Sequence, residues 1–365
     1  MPNLALSNIY RRKLRASVAI LAVGLGIALL LVLAGVTRGS INELVSRIKN
    51  VGADIVVQPQ DANFFLPLKS GLMSTDLKDK IARIEGVEAV APVFTWGIRI
   101  GNNIHVVYGI EEQSFQKVGA KIVLLKGRSP QSDLELVMDV RMAEAKKLKL
   151  GESVKIFGKN FTLVGISKPG VAARIYMPLA TLQKKVDQGN KVNVFFVKVK
   201  TPEKTKEVAK AIESQFPNLK VNAADEIASI VSKSLAGLNE FVIAMCAFAL
   251  IVSSLVVLLA MYTTIYERTR EIGILKALGA SNFYIIKCVV AESTMLSVLG
   301  VLLGYVLTYA TREWMRYKFP LLTLEVTPGE LLTAFGIGII VGVMGAILPA
   351  IAAARKDPVE ALRYE

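Results

Sequence analysis

The chain has 365 residues, 53% of them apolar and 20% charged, with a mean hydropathy of +0.47. That balance excludes an ordinary soluble protein with evenly spread charge, and the charge is indeed segregated: four long stretches hold almost none of it. A single histidine, His105, excludes histidine-rich metal sites and argues against Ser-His-Asp chemistry, and the two cysteines, Cys246 and Cys288, lie inside apolar stretches, so no disulfide framework is expected. Of the net charge of +14, residues 38–237 supply +10, with 30 basic residues interleaved with 20 acids and no polybasic block among them. That pattern fits a solvated surface near anionic lipid headgroups better than a nucleic-acid interface.

Residues 1–15 form a basic tail, with Arg11, Arg12, Lys13 and Arg15 ahead of an uncharged run, Ala16–Val36. The run is long enough to cross a hydrocarbon core about 30 Å thick. It is too long for a signal-peptide core and no small-residue cleavage site follows, so an uncleaved first span is expected over 16–37. Beyond it Ile41, Leu44, Val45 and Ile48 recur at helical spacing, as do Ile227, Ile230, Val231, Leu235 and Leu238 before the second apolar run. Two readings stay open for these stripes. They are connecting helices packed on a soluble domain, or a paired-helix stalk that carries motion.

The segment 38–237 reads as an α+β domain inserted between spans one and two. GADIVVQP (52–59) and VNVFFVKV (192–199) are strand-like in their β-branched content, and 153–166 looks like a hairpin turning at Gly158-Lys159-Asn160. Helical patterns occupy about 75–84, 140–148, 178–186 and 202–216, the last opened by Pro202 and stopped by Pro217 and Asn218.

Three further spans are expected at 238–265, 283–310 and 331–353, with a cytoplasmic segment at 266–282, a short outer loop at 311–330 and a tail at 354–365. Lys and Arg in the short connections favour both termini inside, which places 38–237 outside the cytoplasm. Gly300-x-x-x-Gly304 and Gly338-x-x-x-Gly342 allow close helix approach, either to a neighbouring span or to a second copy. Glu292 is an intramembrane acid near the cytoplasmic end of span three, a candidate for function or for pairing within the bundle. Spans one and four hold almost no polar side chains beyond Ser17 and Thr333, so they offer little to a hydrophilic solute. No phosphate-cradling G-x-x-x-x-G-K-[ST] loop is present, so ATP, if used, binds another chain.

The segment YERTREIGILKALGAS (266–281) is short, charged and amphipathic, with Ile272, Leu275 and Leu278 on one side and Gly279 permitting a tight turn. The string resembles the coupling segment of FtsX-like permeases, the membrane subunits of MacB-type ABC systems. AESTMLSVLGVLLGYVL (291–307) resembles that family's third span, and LPAIAAARKDPVEALRYE (348–365) its C-terminal signature. Residues 124–166 and IARIEGVEAVAPV (81–93) are similar to its extracytoplasmic core domain. The resemblance implies a four-helix transmembrane bundle with an inserted α+β extracytoplasmic core domain, in a bacterial inner membrane. It implies a non-catalytic subunit working with two copies of a separate cytoplasmic ABC ATPase, which holds ATP and Mg. A second permease subunit, identical or not, would complete a dimer in lipid, and a periplasmic adaptor is a further implied partner. Coupling would run through Glu267, Arg268, Arg270, Glu271, Ile272, Leu275, Lys276, Leu278 and Gly279. Two functions compete within this frame: export of a drug, lipid or peptide, and non-transporting work such as lipoprotein release or cell-wall hydrolase regulation. A membrane-anchored sensor without an ATPase is the third, unrelated reading.

Overall fold

The computed structural model describes residues 13–62, 71–101, 103–171, 173–234 and 236–357. Arg11, Arg12, Leu235 and the end of the C-terminal signature therefore lie outside the described residues. In chain order, α1 (Lys13–Lys49) leads into β1 (Ile55–Pro59), β2 (Met73–Ser74), α2 (Leu77–Ala82), β3 (Val87–Ile100) and β4 (Asn103–Ile110). Then come α3 (Glu112–Lys117), β5 (Leu124–Gly127), β6 (Glu135–Asp139), α4 (Val140–Lys146), β7 (Ser153–Ile156) and β8 (Lys159–Ser167). The unit continues through β9 (Ile175–Pro178), α5 (Leu179–Lys185), β10 (Lys191–Val192), β11 (Val194–Val199), α6 (Thr205–Gln215), β12 (Leu219–Ala223) and α7 (Ala224–Ser234). Four helices close the chain: α8 (Ala236–Glu267), α9 (Thr269–Ala277), α10 (Asn282–Lys318) and α11 (Pro328–Ala354).

These elements form two compact units. One gathers residues up to Gly39 with Ala236–Tyr317 and Leu322–Glu365; the other holds Ser40–Leu235 with Lys318–Leu321. In the first, α1, α8, α10 and α11 are each long and apolar enough to cross a membrane. Residues 311–318, expected in a loop, instead continue α10, because nothing from Thr311 to Lys318 breaks a helix. Thr327 opens α11 with a reciprocal capping box to Glu330, and Pro328 takes the first turn, where its missing N–H costs nothing.

Small residues set the helix packing. A Cβ on Gly300 would stand 2.7 Å from Val23 Cβ, and one on Gly304 2.9 Å from Ile27 Cβ. Gly338 and Gly342 meet Val301 and Ser297 in the same way. All four glycines thus pack against spans of their own chain. Ser253 donates to the carbonyl of Ala22 at 2.9 Å and Ser293 to that of Gly342 at 2.8 Å, which satisfies polar groups that water cannot reach.

The second unit is built on a mixed sheet in the order β12-β1-β11-β3-β4-β9-β6-β8-β5, with β7 paired to β8. Its two faces carry separate apolar clusters, one with Phe94, Phe161 and Phe195, the other with Phe115, Tyr176 and Phe196. Burying each such ring contributes roughly 1.5–3 kcal/mol. The 153–166 hairpin is present, but its turn is Phe157-Gly158, since Ile156 pairs with Lys159. Both turn residues have positive φ, 49° and 74°, as a two-residue turn matched to strand twist requires. Phe157 tolerates that conformation here, and a phenylalanine gives no turn signal.

His105 on β4 pairs with Ile98, and its Nε2 is buried with no hydrogen-bond partner among the described residues. Burial, reinforced by Lys146 and Arg174, lowers its pKa from 6.5 to about 4. The folded protein therefore refuses a proton that the unfolded chain accepts. Stability should fall as pH drops from 6.5 towards 4 and be insensitive to this group above that window. Selective 13C-histidine NMR would check this, because the chain has one histidine. A ring resonance titrating near 6.5 in folded protein would contradict it.

Candidate functional site

In the membrane unit, α9 ends in a Schellman turn: Ala280 N–H donates to Leu275 O and Gly279 N–H to Lys276 O, both at 3.0 Å. Gly279 supplies the left-handed residue, φ 92°. A helix advances about 100° per residue, so positions three apart drift around its face. Ile272 consequently turns inward with Thr269 and Gly273 and joins the bundle core, only 8% exposed. Leu275 and Leu278 turn outward, 41% and 81% exposed, and Ile274 joins them at 44%. The expected single apolar side is thus split, with Ile272 a core residue and Ile274 a member of the outward face that the i, i+3 pattern missed.

The charged residues divide in the same way. Arg268 is held inside, donating from Nε to Glu271 Oε2 at 2.8 Å and from Nη1 to Glu292 Oε2 at 3.1 Å. Glu292, 12% exposed, therefore has a cationic partner within its own bundle. Lys276 Nζ donates to the carbonyls of Ala354 and Lys356 at 2.7 and 2.8 Å, capping the end of α11. Lys356 returns a bond to Thr269 Oγ1 at 3.2 Å and lies 5.5 Å from the centre of the Tyr266 ring. Glu267, Arg270 and Glu271 stay on the exposed side. The short helix is thereby fastened to α10 and α11 along one face and open along the other.

In the α/β unit the last turns of α1 carry a second arrangement. Ile41, Val45 and Ile48 pack in the same apolar cluster as Ile227 of α7. Leu44, placed in that stripe by spacing, is 42% exposed, and Ile230 is half-buried. The Val231 side chain lies outside what is described. Beside this contact is an ionic cluster that apolar periodicity could not show. Arg47 donates to Glu43 Oε1 at 2.8 Å and to Asp139 Oδ2 at 3.1 Å. Arg174 donates to Glu43 Oε1 at 2.7 Å and to Leu321 O at 3.0 Å, and Arg141 reaches Glu43 Oε2 at 3.3 Å. Asp139, 1% exposed, also caps α4 through Met142 N–H at 2.7 Å. Burial is the main influence lowering the Arg174 pKa, followed by Arg47, while Glu43 opposes the shift. The i, i+4 pair Glu43–Arg47 was the one local signal available.

Among the described residues no three His, Cys, Asp or Glu side chains are grouped to hold a metal ion. What the structure offers is a four-helix membrane unit, an α/β unit inserted after its first helix, and a short anchored helix between spans two and three. The chain belongs to the FtsX/MacB-type ABC transporter permease family: the MacB-like periplasmic core domain profile matches residues 16–215 and the FtsX-like permease C-terminal profile residues 243–358. It is 25% identical to an ABC transporter permease of Methanocaldococcus jannaschii, over 99% of this chain and 97% of that one. Identity to the permease YknZ of Bacillus subtilis is also 25%, over 99% and 98%. The macrolide export ATP-binding/permease protein MacB of Shewanella is 24% identical over 99% of this chain, which spans 60% of that relative.

Proposed function

We propose that this chain is the non-catalytic membrane subunit of an ATP-driven complex, with both termini in the cytoplasm of a bacterial inner membrane. A separate cytoplasmic ABC ATPase, in two copies holding ATP and Mg, docks on the outward face of α9. A second permease subunit completes the dimer. The carrying observation is the two-sided character of α9: Lys276 and Arg268 tie it to α11 and α10, while Ile274, Leu275 and Leu278 are left exposed. Apolar anchors flanked by charge suit a helix lying in a partner's groove.

ATP-driven closure of the partner then displaces α9 together with α10 and α11, and the α/β unit carries the work outside the cytoplasm. Support for that site of work comes from the bundle interior. The buried Ser253, Ser293, Ser297 and Thr308 all bond to backbone carbonyls, so none is presented to a polar solute. Export of a drug, lipid or peptide, aided by a periplasmic adaptor, is the reading adopted; lipoprotein release or hydrolase regulation is the alternative on the same machinery.

The test is co-expression with candidate ABC ATPases and purification through a tag on this chain. One ATPase should co-purify in equal amount and turn over ATP in nanodiscs, while the chain alone hydrolyses none. Hydrolysis by the chain free of other ATPases would overturn the assignment.

A further inference from the structure

The α/β unit holds a cleft of 410 Å³ that takes no part in the ionic cluster. It opens where β4 and β9 end. These strands run parallel, Ile110 opposite Pro178, and each passes straight into a short helix, α3 after β4 and α5 after β9. The helices leave to opposite faces of the sheet. Phe115 of α3 packs with Ile110, Val137 and Tyr176, whereas Leu179 and Leu182 of α5 pack with Val107 and Met177. A parallel pair whose following helices diverge leaves a crevice beyond the carboxyl ends of the strands, which is where open α/β sheets bind ligands. The volume falls near the small end of ligand sites, which span about 300–1,000 Å³.

The lining chemistry narrows the ligand. Ile122, Leu124, Pro130 and Met177 supply apolar wall, and Glu111 and Glu112 stand beside it. Glu111 is neutralised by Lys78 at 2.6 Å. Glu112 accepts from Ser129 Oγ at 2.6 Å and Gln116 Nε2 at 3.2 Å, and pairs with no cation among the described residues. The cleft therefore keeps a net negative charge over an apolar wall. We propose that it binds a compact apolar molecule bearing one protonated amine, with the amine on Glu112 and the apolar body against Ile122, Leu124 and Pro130. The floor strands β6 and β9 carry Asp139 and flank Arg174 at their other ends, about 10 Å away at some 3.3 Å per residue. A bound molecule thus sits one short strand from the ionic cluster, independently of any ATPase.

The full-length chain in nanodiscs is titrated with 4-phenylbutylamine, 4-phenylbutanol and 4-phenylbutyrate, with empty nanodiscs subtracted for partition into lipid. The amine should saturate one site and bind about tenfold more tightly than the alcohol, since a charge-assisted bond replaces a neutral one. The acid should not bind. Glu112→Gln should bring the amine to the level of the alcohol, and Ala180→Trp, at an exposed lining position, should abolish both. Unchanged melting of each variant shows that folding is intact. Absence of saturable amine binding, a butyrate that binds as well as the amine, or binding that survives Ala180→Trp in folded protein would overturn the proposal.

Discussion

Arg47→Ala should destabilise the α/β unit by about 3–5 kcal/mol, the range for breaking a buried ion pair from one side. The loss is large because Arg47 and Asp139 are 5% and 1% exposed, so removing the guanidinium strands a carboxylate away from water. Glu43 keeps Arg174 and Arg141 and suffers less. Arg141→Ala is the internal comparison: its side chain is 37% exposed and its bond is 3.3 Å, so it should cost under about 1 kcal/mol. Denaturant unfolding followed by Trp96 fluorescence, in a Trp314→Phe background, reads the α/β unit selectively, since the chain has two tryptophans. Equal stability of Arg47→Ala and wild type would mean that the cluster is no anchor for α1.

Leu275→Asp should abolish ATPase docking while leaving both units folded. The side chain is 41% exposed in the free chain and is proposed to be covered by the partner, so an aspartate there would be an unpaired charge at an apolar contact. The cost is several kcal/mol, and about 1.4 kcal/mol is already tenfold in affinity. Ile274→Asp should behave alike. Ile272→Asp should fail differently, by disrupting the bundle core in which that residue sits. Arg270→Ala should weaken docking mildly and in a salt-dependent way, as rim charges do, whereas Arg268→Ala should act on the bundle because it breaks the ion pair to Glu292. Co-purification of the ATPase and ATP turnover in nanodiscs measure all five. Wild-type binding and turnover by Leu275→Asp would reduce α9 to an interfacial helix.

Spans one, two and four were legible because twenty or more uncharged residues leave little else for a chain to do, and span three was read in spite of Lys287 and Glu292. Most helices of the α/β unit were legible from period and punctuation, with Pro202 and Pro217 bracketing α6, but the short α3 was not. The long hairpin of β3 and β4 was not read from a strand pattern, and only its part up to Val93 was touched, by resemblance to the core domain. Val90 to Ile98 is buried on one face or the other at almost every residue, so the alternation that marks a half-exposed strand is missing, and Pro92 and Gly97 disguise it further. The orientation of α9 was lost to the drift of an i, i+3 pattern. The bonds Arg47–Asp139 and Arg268–Glu292 join residues 92 and 24 apart, and no local rule connects such positions.

The glycine contacts in the membrane unit have a mechanical meaning. Gly300 is fitted to Val23, Gly304 to Ile27, Gly338 to Val301, Gly342 to Ser297 and Gly345 to Val257, so each span is keyed into a neighbour at backbone depth. Sliding one helix by a single residue, about 1.5 Å, would drive a branched side chain into main chain. These contacts therefore resist axial slip between the four spans. Were one span pushed along its axis, the neighbours it is keyed into would be carried with it, as meshed teeth carry one another.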